Sequence, residues 1–555
     1  MVKIKKAVTK YVSVRVVDII FKLTYNSKHY FKNIVEFWKI QFDMLEEKMY
    51  QGIVFGAVAL LATIIILSFH KVDEKKFDIF LKVVTVLFCG VGVFRYFLSD
   101  GFIFAINGGW YGGIYHDKAD FWHAVLRWGY ATAYSVLPMA VFFKGRFFKN
   151  IASYISMPFA VLSTIFFEDY MAYFLSEEGN GIHGADGFRY AYFVIELVIA
   201  ILIPLLIQIK YKHYFNFKDK REVINFFAGL PLVLLVTIPV YVPQSFFGFK
   251  ETSNPMFGTY HIVWMIVLLA LTLAIYFGFR NRPHREKRML CVFLAIALFY
   301  HFNTIFLMGI TLSRLPFQLC NMASYLILIA IVFDLKRMMQ FCFLVNVAGT
   351  ILAIAVAALS DGFLCFWNVH YIFEHSYVLL VPALAYGFEL YPRVNKKSML
   401  YAFIGFTAYF LFVFVLGIVL NGYSEELGQT VNYFYMFDTE VAFDYFPFLS
   451  FAGNWCLEFG RFSFYPMVVG IVYAGFSASW ILFYGLCRLI YRIEDKCLSN
   501  RLSRRPWRKA YETYALPGGG ELDLSEEEEN IPEEAGENLP LEEKEEEVEI
   551  LSAEQ

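Results

Sequence analysis

The sequence predicts an all-α fold, a polytopic transmembrane bundle of about thirteen spans built on a parallel internal duplication of a six- or seven-helix unit. Three observations predict it. Hydrophobic residues make up 58% of the 555 and mean hydropathy is +0.51, where soluble domains sit near ~45–50% apolar. Apolar windows of about 18–22 residues, enough to cross a hydrocarbon core about 30 Å thick, recur along most of the chain. Segments of the first half also reappear in the second at fixed offsets. The runs are continuous rather than alternating, which excludes a transmembrane β-barrel.

Residues 1–50 carry ten Lys/Arg, and their most apolar part is interrupted by Arg15, Asp18 and Lys22. That pattern suits an interfacial amphipathic helix better than a span or a cleavable signal peptide. Spans are expected near 51–69, 79–98, 122–143, 149–167, 188–208, 224–243, 259–279, 289–310, 315–333, 340–359, 372–390, 399–420 and 464–490. They group into a six-helix N-terminal half, 51–250, and a seven-helix C-terminal half, 255–492. A basic juxtamembrane segment, 493–520, follows, and its cluster at 501–509 (Arg501, Arg504, Arg505, Arg508, Lys509) suits contact with anionic lipid. The net charge of −2 conceals an acidic tail: 521–555 holds sixteen carboxylates and one Lys, leaving +13 in 1–520. Such a tail buries too little apolar surface to fold and is expected to be disordered.

Basic loops at Lys144–Lys149, Lys210–Arg221, Arg280–Arg288, Lys336–Arg337, Arg393–Lys397 and beyond Arg488 predict a cytoplasmic C-terminus. The eight Cys show no CxxC pair, so neither zinc nor a disulfide framework is expected; Cys365 and Cys456 share a predicted side. No cofactor motif is present, and nothing supports nucleic-acid binding.

The repeat is read from three alignments. Phe193-Val194-Ile195-Glu196-Leu197 and Tyr371-Ile372-Phe373-Glu374-His375 align at an offset of 178, with Pro204 on Pro382. Ala133–Phe143 resembles Ala323–Phe333 at an offset of 190, and Glu74-Lys75-Lys76 resembles Glu286-Lys287-Arg288 at 212. An even number of helices per copy makes such a repeat parallel. Opposite Cys320 the first half has Tyr130, and opposite His375 it has Leu197. Reactive side chains are therefore expected only in residues 255–492, with the first half a scaffold.

Polar groups inside spans cost about 2.5–3.5 kcal/mol at a helix centre and are functional candidates for that reason. The second half concentrates them: His261, His301, Gln318, Cys320, Asn321, Asn346, Glu374, His375 and Glu389. Cys320 is the thiol with the most polar neighbours, Gln318 and Asn321 sharing a helix face with each other. With an imidazole within reach it would make an acyl-accepting nucleophile, and without one it is a small buried hydrophobe. His375 is the candidate base. Asn368 and His370 are expected on the preceding loop, and Arg127 and Glu196 are expected to pair across two helices of the first half.

At these residues the second half resembles a known family. Phe257-Gly258-Thr259-Tyr260-His261, Leu315-Pro316-Phe317-Gln318-Leu319-Cys320, the segment Asn368 to His375, and Asn432-Tyr433-Phe434-Tyr435 occur in the order seen in bacterial YwaF-type integral membrane proteins. That family is remotely similar to eukaryotic acyltransferases that place polyunsaturated chains on ether phospholipids. The resemblance implies a protein of the bacterial cytoplasmic membrane whose partners are membrane lipids. It implies catalytic roles for Cys320 as nucleophile and His375 as base, with His261, Gln318, Asn321, Asn368, Glu374 and Asn432 supporting. Gln318 and Asn321 stand where relatives carry His, which removes an imidazole beside the thiol. The expected function is thiol-dependent acyl transfer or acyl hydrolysis on a lipid. A transporter or lipid flippase with a midplane polar path, and a non-catalytic scaffold or sensor, are the alternatives.

Overall fold

A computed structural model describes residues 56–68, 74–98, 118–166, 186–211, 215–247, 255–437 apart from 358, 360, 361 and 363, 447–459 and 462–503. The basic segment 1–50, most of the 501–509 cluster and the acidic tail lie outside the described residues. Among the described residues, helices stand at all thirteen predicted places.

In the first half these are α1 (Gly56–Ser68), α2 (Glu74–Leu98), α3 (Lys118–Phe142), α4 (146–165), α5 (Asp186–Tyr211) and α6 (Lys220–Thr237). The second half has α7 (Thr259–Phe279), α8 (His284–Asn303), α9 (Leu319–Val332), α10 (Lys336–Ala355), α11 (Phe366–Gly387), α12 (Lys396–Gly422) and α13 (Pro466–Ser503). Seven helices are long and apolar enough by themselves to cross a membrane, and α1 and α9 are shorter apolar helices. Polar residues keep α11 out of that set: it carries Asn368, His370, Glu374 and His375 in its first half. Among the described residues the one departure from all-α secondary structure is a two-stranded hairpin, β1 (Leu457–Phe459) antiparallel to β2 (Phe462–Phe464). The chain through Gly485 forms one compact unit, and Leu486–Gln555 a second, helical as far as Ser503.

Several local structures recur at the offsets of the sequence repeat. Helix α4 is Arg146–Ile151, a π-helical turn Ala152–Ser156, then Met157–Ile165. Helix α10 is Lys336–Phe341, a π-helical turn Cys342–Asn346, then Val347–Ala355. Each comprises six, five and nine residues. A π turn is rare inside a helix and frequent at functional sites. Helices α6 and α12 both start on a side-chain cap, Asp219 and Asn395, at an offset of 176, two residues short of the α5–α11 offset. Asp219 accepts from the N–H groups of Arg221 and Glu222, and Asn395 accepts from those of Lys397 and Ser398. Pro204 and Pro382 lie inside α5 and α11.

The contact between α3 and α4 recurs between α9 and α10 with its sizes exchanged. Gly129 on α3 faces the ring of Phe159 on α4 so closely that a Cβ there would lie 2.1 Å from Cδ1. At an offset of 190 the glycine sits on the other partner: Gly349 on α10 faces Leu319 Cδ2 of α9, at 3.2 Å from such a Cβ.

Helix α8 is the axis of the bundle. In its apolar window 89% of residues are buried, against 11% for α7. It packs on α3 as well as on α9 and α11. One core therefore joins the halves, with Tyr134, Phe193, Phe293, Leu294 and Val378 in a single cluster. The outer faces of α7 and α12 present rows of exposed apolar side chains, including Ile266, Leu269, Leu411, Phe412 and Val415, as a lipid-facing surface requires.

Two hydrogen bonds tie α8 to the first half. Tyr300 Oη donates to the Cys89 carbonyl at 2.9 Å. His301 Nε2 donates to the Val236 carbonyl at 2.9 Å, and Tyr377 of α11 reaches the same oxygen at 3.4 Å. Val236 lies in the last turn of α6, where the extended Ile238 ends the helix and leaves that carbonyl without its own donor.

Candidate functional site

Cys320 lies in the first turn of α9, after the N-cap residue Gln318. Gln318 is a clamp: its Oε1 accepts from the N–H of Phe434 at 3.0 Å, and its Nε2 donates to the Asn432 carbonyl at 3.3 Å. Asn432 Oδ1 in turn accepts from the N–H of Phe437 at 3.0 Å. Together they hold a turn in which Phe434 and Tyr435 adopt φ of 54° and 57°, values that side-chain-bearing residues rarely adopt. Asn421 secures the same segment from α12, exchanging two hydrogen bonds with Val431 at 2.9 and 3.0 Å. Gln318 and Asn432 therefore meet as the family order implies, and both are engaged in positioning the chain.

The Cys320 thiol is half-buried, and Sγ donates to Oδ1 of Asn321 at 3.2 Å. Glu374 of α11 is an ionisable group close enough to act on it. His375 is engaged elsewhere. Its Nδ1 donates to the Tyr371 carbonyl one turn back at 2.8 Å, and its ring stacks on that of Tyr371, centroids 4.0 Å apart. A carbonyl only accepts, so the neutral ring carries its proton on Nδ1 and a free lone pair on Nε2. Among the described residues no hydrogen bond joins Cys320 to His375.

Asn368 and His370 are not in a loop. They occupy the first turns of α11. Asn368 donates to the Gly362 carbonyl at 2.7 Å and fixes the helix entry. His370 is buried one turn before Glu374, its Nε2 3.6 Å from Oε2, too long for a hydrogen bond. Glu374 Oε1 has no hydrogen-bond partner among the described residues, and the His301 backbone acts on the His370 ring. His261 on α7 is fully satisfied: Nδ1 accepts from the N–H of Phe257 at 2.9 Å and Nε2 donates to the Ile354 carbonyl at 2.6 Å. It ties α7 to α10 rather than facing the thiol.

Helix α10 brings Asn346, a polar candidate of the sequence, into the site and adds Thr350, which the sequence did not single out. Asn346, last residue of the π turn, and Thr350, one turn on, are buried, and none of their side-chain polar atoms has a partner. The stripe containing both includes Ala353, whose carbonyl accepts from Tyr371 Oη of α11 at 2.8 Å, so it faces α11. Gly349 beside it receives Leu319, placing the first turn of α9 against the same stretch. The first turn of α9, the 346–350 stretch of α10 and the 370–375 stretch of α11 thus converge. Unpaired buried polar atoms cost roughly 1–3 kcal/mol each, and a native structure retains them for a reason.

Buried polar groups in the first half are only partly paired: Ser153 Oγ, Ser163 Oγ and Gln244 Oε1 have no hydrogen-bond partner among the described residues, while Glu196 is engaged. Glu196 on α5 accepts from Tyr134 Oη at 2.5 Å and lies 3.8 Å from Arg95 Nη1. Arg95 also donates to Tyr134 and lies over the rings of Tyr130 and Phe193. The expected partner Arg127 is thus displaced by Arg95, which approaches from α2, a helix the sequence comparison had not linked to α5.

Among the described residues no three metal-ligating side chains cluster, and the described cysteines, Cys365 and Cys456 included, are free thiols. Residues 256–484 match the model of the TMEM164 family, a family of membrane proteins. The match covers less than half of the chain but includes all the second-half site residues named above. No curated protein and no solved structure matches the chain.

Proposed function

We propose that the protein is a lipid-modifying membrane enzyme that carries an acyl group on Cys320. The observation that supports this reading best is the gathering of buried polar groups, Asn346, Thr350, His370 and Glu374, on helices packed against the start of α9, where the thiol sits. The resemblance to YwaF-type proteins and to ether-phospholipid acyltransferases supports it from the sequence side. Sγ attacks the carbonyl carbon of a lipid ester, the C–S bond forms, and the C–O bond to the departing alcohol breaks. His375 accepts the thiol proton at Nε2 and returns it to the leaving oxygen. Its ring must turn from Tyr371 toward α9 to do so; catalytic hydrogen bonds often tighten only when substrate is bound.

In this reading lipid enters from the bilayer, the C-terminus faces the cytoplasm, and the basic cluster at 501–509 rests on anionic headgroups. Residues 51–250 are a diverged, non-catalytic copy of 255–492. A flippase path through both halves is the weaker reading, because Glu196 is closed by Arg95 and Tyr134.

The test is acyl trapping. The full chain in lipid nanodiscs is incubated with a p-nitrophenyl fatty ester and digested, and the peptides are weighed. A hydroxylamine-labile acyl adduct on the Cys320 peptide, absent from Cys320→Ala, is expected. Equal ester turnover by wild type and Cys320→Ala would sink the proposal.

A further inference from the structure

The two halves can be compared position by position. Asn346 and Thr350 correspond to Ser156 and Ala160 at an offset of 190, while His370 and Glu374 correspond to Tyr192 and Glu196 at 178. Each polar side chain of the first set makes at least one hydrogen bond, although Glu196 Oε2 has only the Arg95 guanidinium at 3.8 Å. Ser156 Oγ shares a hydrogen bond with Thr132 Oγ1 at 2.8 Å, Tyr192 Oη donates to the Val91 carbonyl, and Glu196 has Tyr134 and Arg95. In the second set four atoms are buried without a hydrogen-bond partner among the described residues, both of Asn346, Oγ1 of Thr350 and Oε1 of Glu374, while His370 Nε2 lies 3.6 Å from Glu374 Oε2. The surroundings also differ in bulk. Tyr130 and Tyr134, buried in the first half, correspond to Cys320 and Ser324. Two rings that fill the first half have no counterpart in the second.

We propose that Asn346, Thr350, His370 and Glu374 form a buried site for an uncharged, hydroxyl-bearing group, the acyl acceptor of the reaction proposed above. The first half is then the same module with this site filled. Donors and acceptors alternate within the set, as a hydroxyl that both donates and accepts requires. Charge argues against an anion there. Among the described residues the buried guanidinium groups are Arg95 and Arg127, both in the first half. A phosphate there would be buried with no guanidinium or ammonium to compensate its charge. His301 and His375 are the other titratable groups that act on His370.

The proton accounting closes. The acceptor oxygen adds to the carbonyl carbon of the Cys320 thioester, its proton passes to the Glu374 carboxylate, the C–S bond breaks, and the thiolate recovers that proton. Thioester and alcohol become ester and thiol, with no other reactant.

The proposal rests on the acyl-transfer reading for the role of the hydroxyl, so its test reads binding without chemistry. Full-length Cys320→Ala in nanodiscs is photolabelled with 1-monooleoylglycerol carrying a diazirine in its chain. Unlabelled 1-monooleoylglycerol competes, and propyl oleate, which lacks the hydroxyls, competes at least tenfold less well. Asn346→Ala and Thr350→Val each weaken labelling by about tenfold, the value of one lost hydrogen bond to a buried partner. Thr350→Ser restores it, and Ser156→Ala in the first half leaves it unchanged. Equal competition by propyl oleate, or wild-type labelling of Asn346→Ala and Thr350→Val, would overturn the proposal. Because Cys320 is absent throughout, a failure of acyl trapping cannot produce that result.

Discussion

The two buried carboxylates make a quantitative prediction. Glu196 and Glu374 stand at corresponding positions, yet only Glu196 has a guanidinium and a phenol as partners. Glu196→Gln removes the charge and leaves Arg95 buried without its counter-ion. Breaking a buried pair from one side costs about 3–5 kcal/mol. The amide oxygen still accepts from Tyr134, and Arg95 keeps the faces of Tyr130 and Phe193. The expected loss therefore falls below that range, about 2–3 kcal/mol, or roughly 30- to 150-fold in the folding equilibrium. Glu374→Gln replaces a buried carboxyl whose Oε1 has no partner. It should leave stability within about 0.5 kcal/mol or raise it by about 1 kcal/mol, as happens when a residue is kept for function at a cost in stability. The assay is unfolding of each variant in mixed micelles titrated with dodecyl sulfate, with Arg95→Met/Glu196→Gln closing the cycle. That double variant should recover most of the loss. Equal losses for Glu196→Gln and Glu374→Gln would refute the reasoning, because partners would then not be what separates the two sites.

Three further outcomes follow from the same structure. Gly349→Phe should cost about 1–3 kcal/mol by overpacking against Leu319, and Leu319→Gly in the same chain should restore most of it by recreating the Gly129–Phe159 pair; the same micelle titration reads both. Gln318→Ala should lose about 1–3 kcal/mol, because it leaves the Phe434 amide unpaired, and hydrogen exchange should rise over 431–437. His301→Phe keeps the ring but leaves the Val236 carbonyl with Tyr377 alone, so about 1 kcal/mol should be lost and exchange should rise at the end of α6.

Helix positions were legible because lipid-spanning runs are long and apolar, and the repeat was legible because Glu and Pro kept their spacing in α5 and α11. The partners of those residues were not. Arg95 reaches Glu196 from a helix whose own alignment, through Glu74, carries no matching basic residue. The π turns leave no mark in composition, so the stripe joining Asn346 to Thr350 could not be drawn. His370 was assigned to a loop because Asn368 and His370 depress local hydropathy, although the spacing of His370 and Glu374, one helical turn, was there to be read. His261 was legible as polar but not as satisfied, since its acceptor, the Ile354 carbonyl, lies 93 residues away.

The axial position of α8 also has a consequence for synthesis. Ribosomes deliver α1 to α6 before α8 exists, so the Cys89 and Val236 carbonyls and the face of α3 that α8 covers must wait for it. A chain released after residue 255 would hold two hydrogen-bond acceptors and a helix-sized apolar trough with nothing to fill them. The first half is thus incomplete in its packing until α8 has been made. Supplying residues 255–555 as a separate polypeptide would rescue it only if α8 could still slide into place from the side.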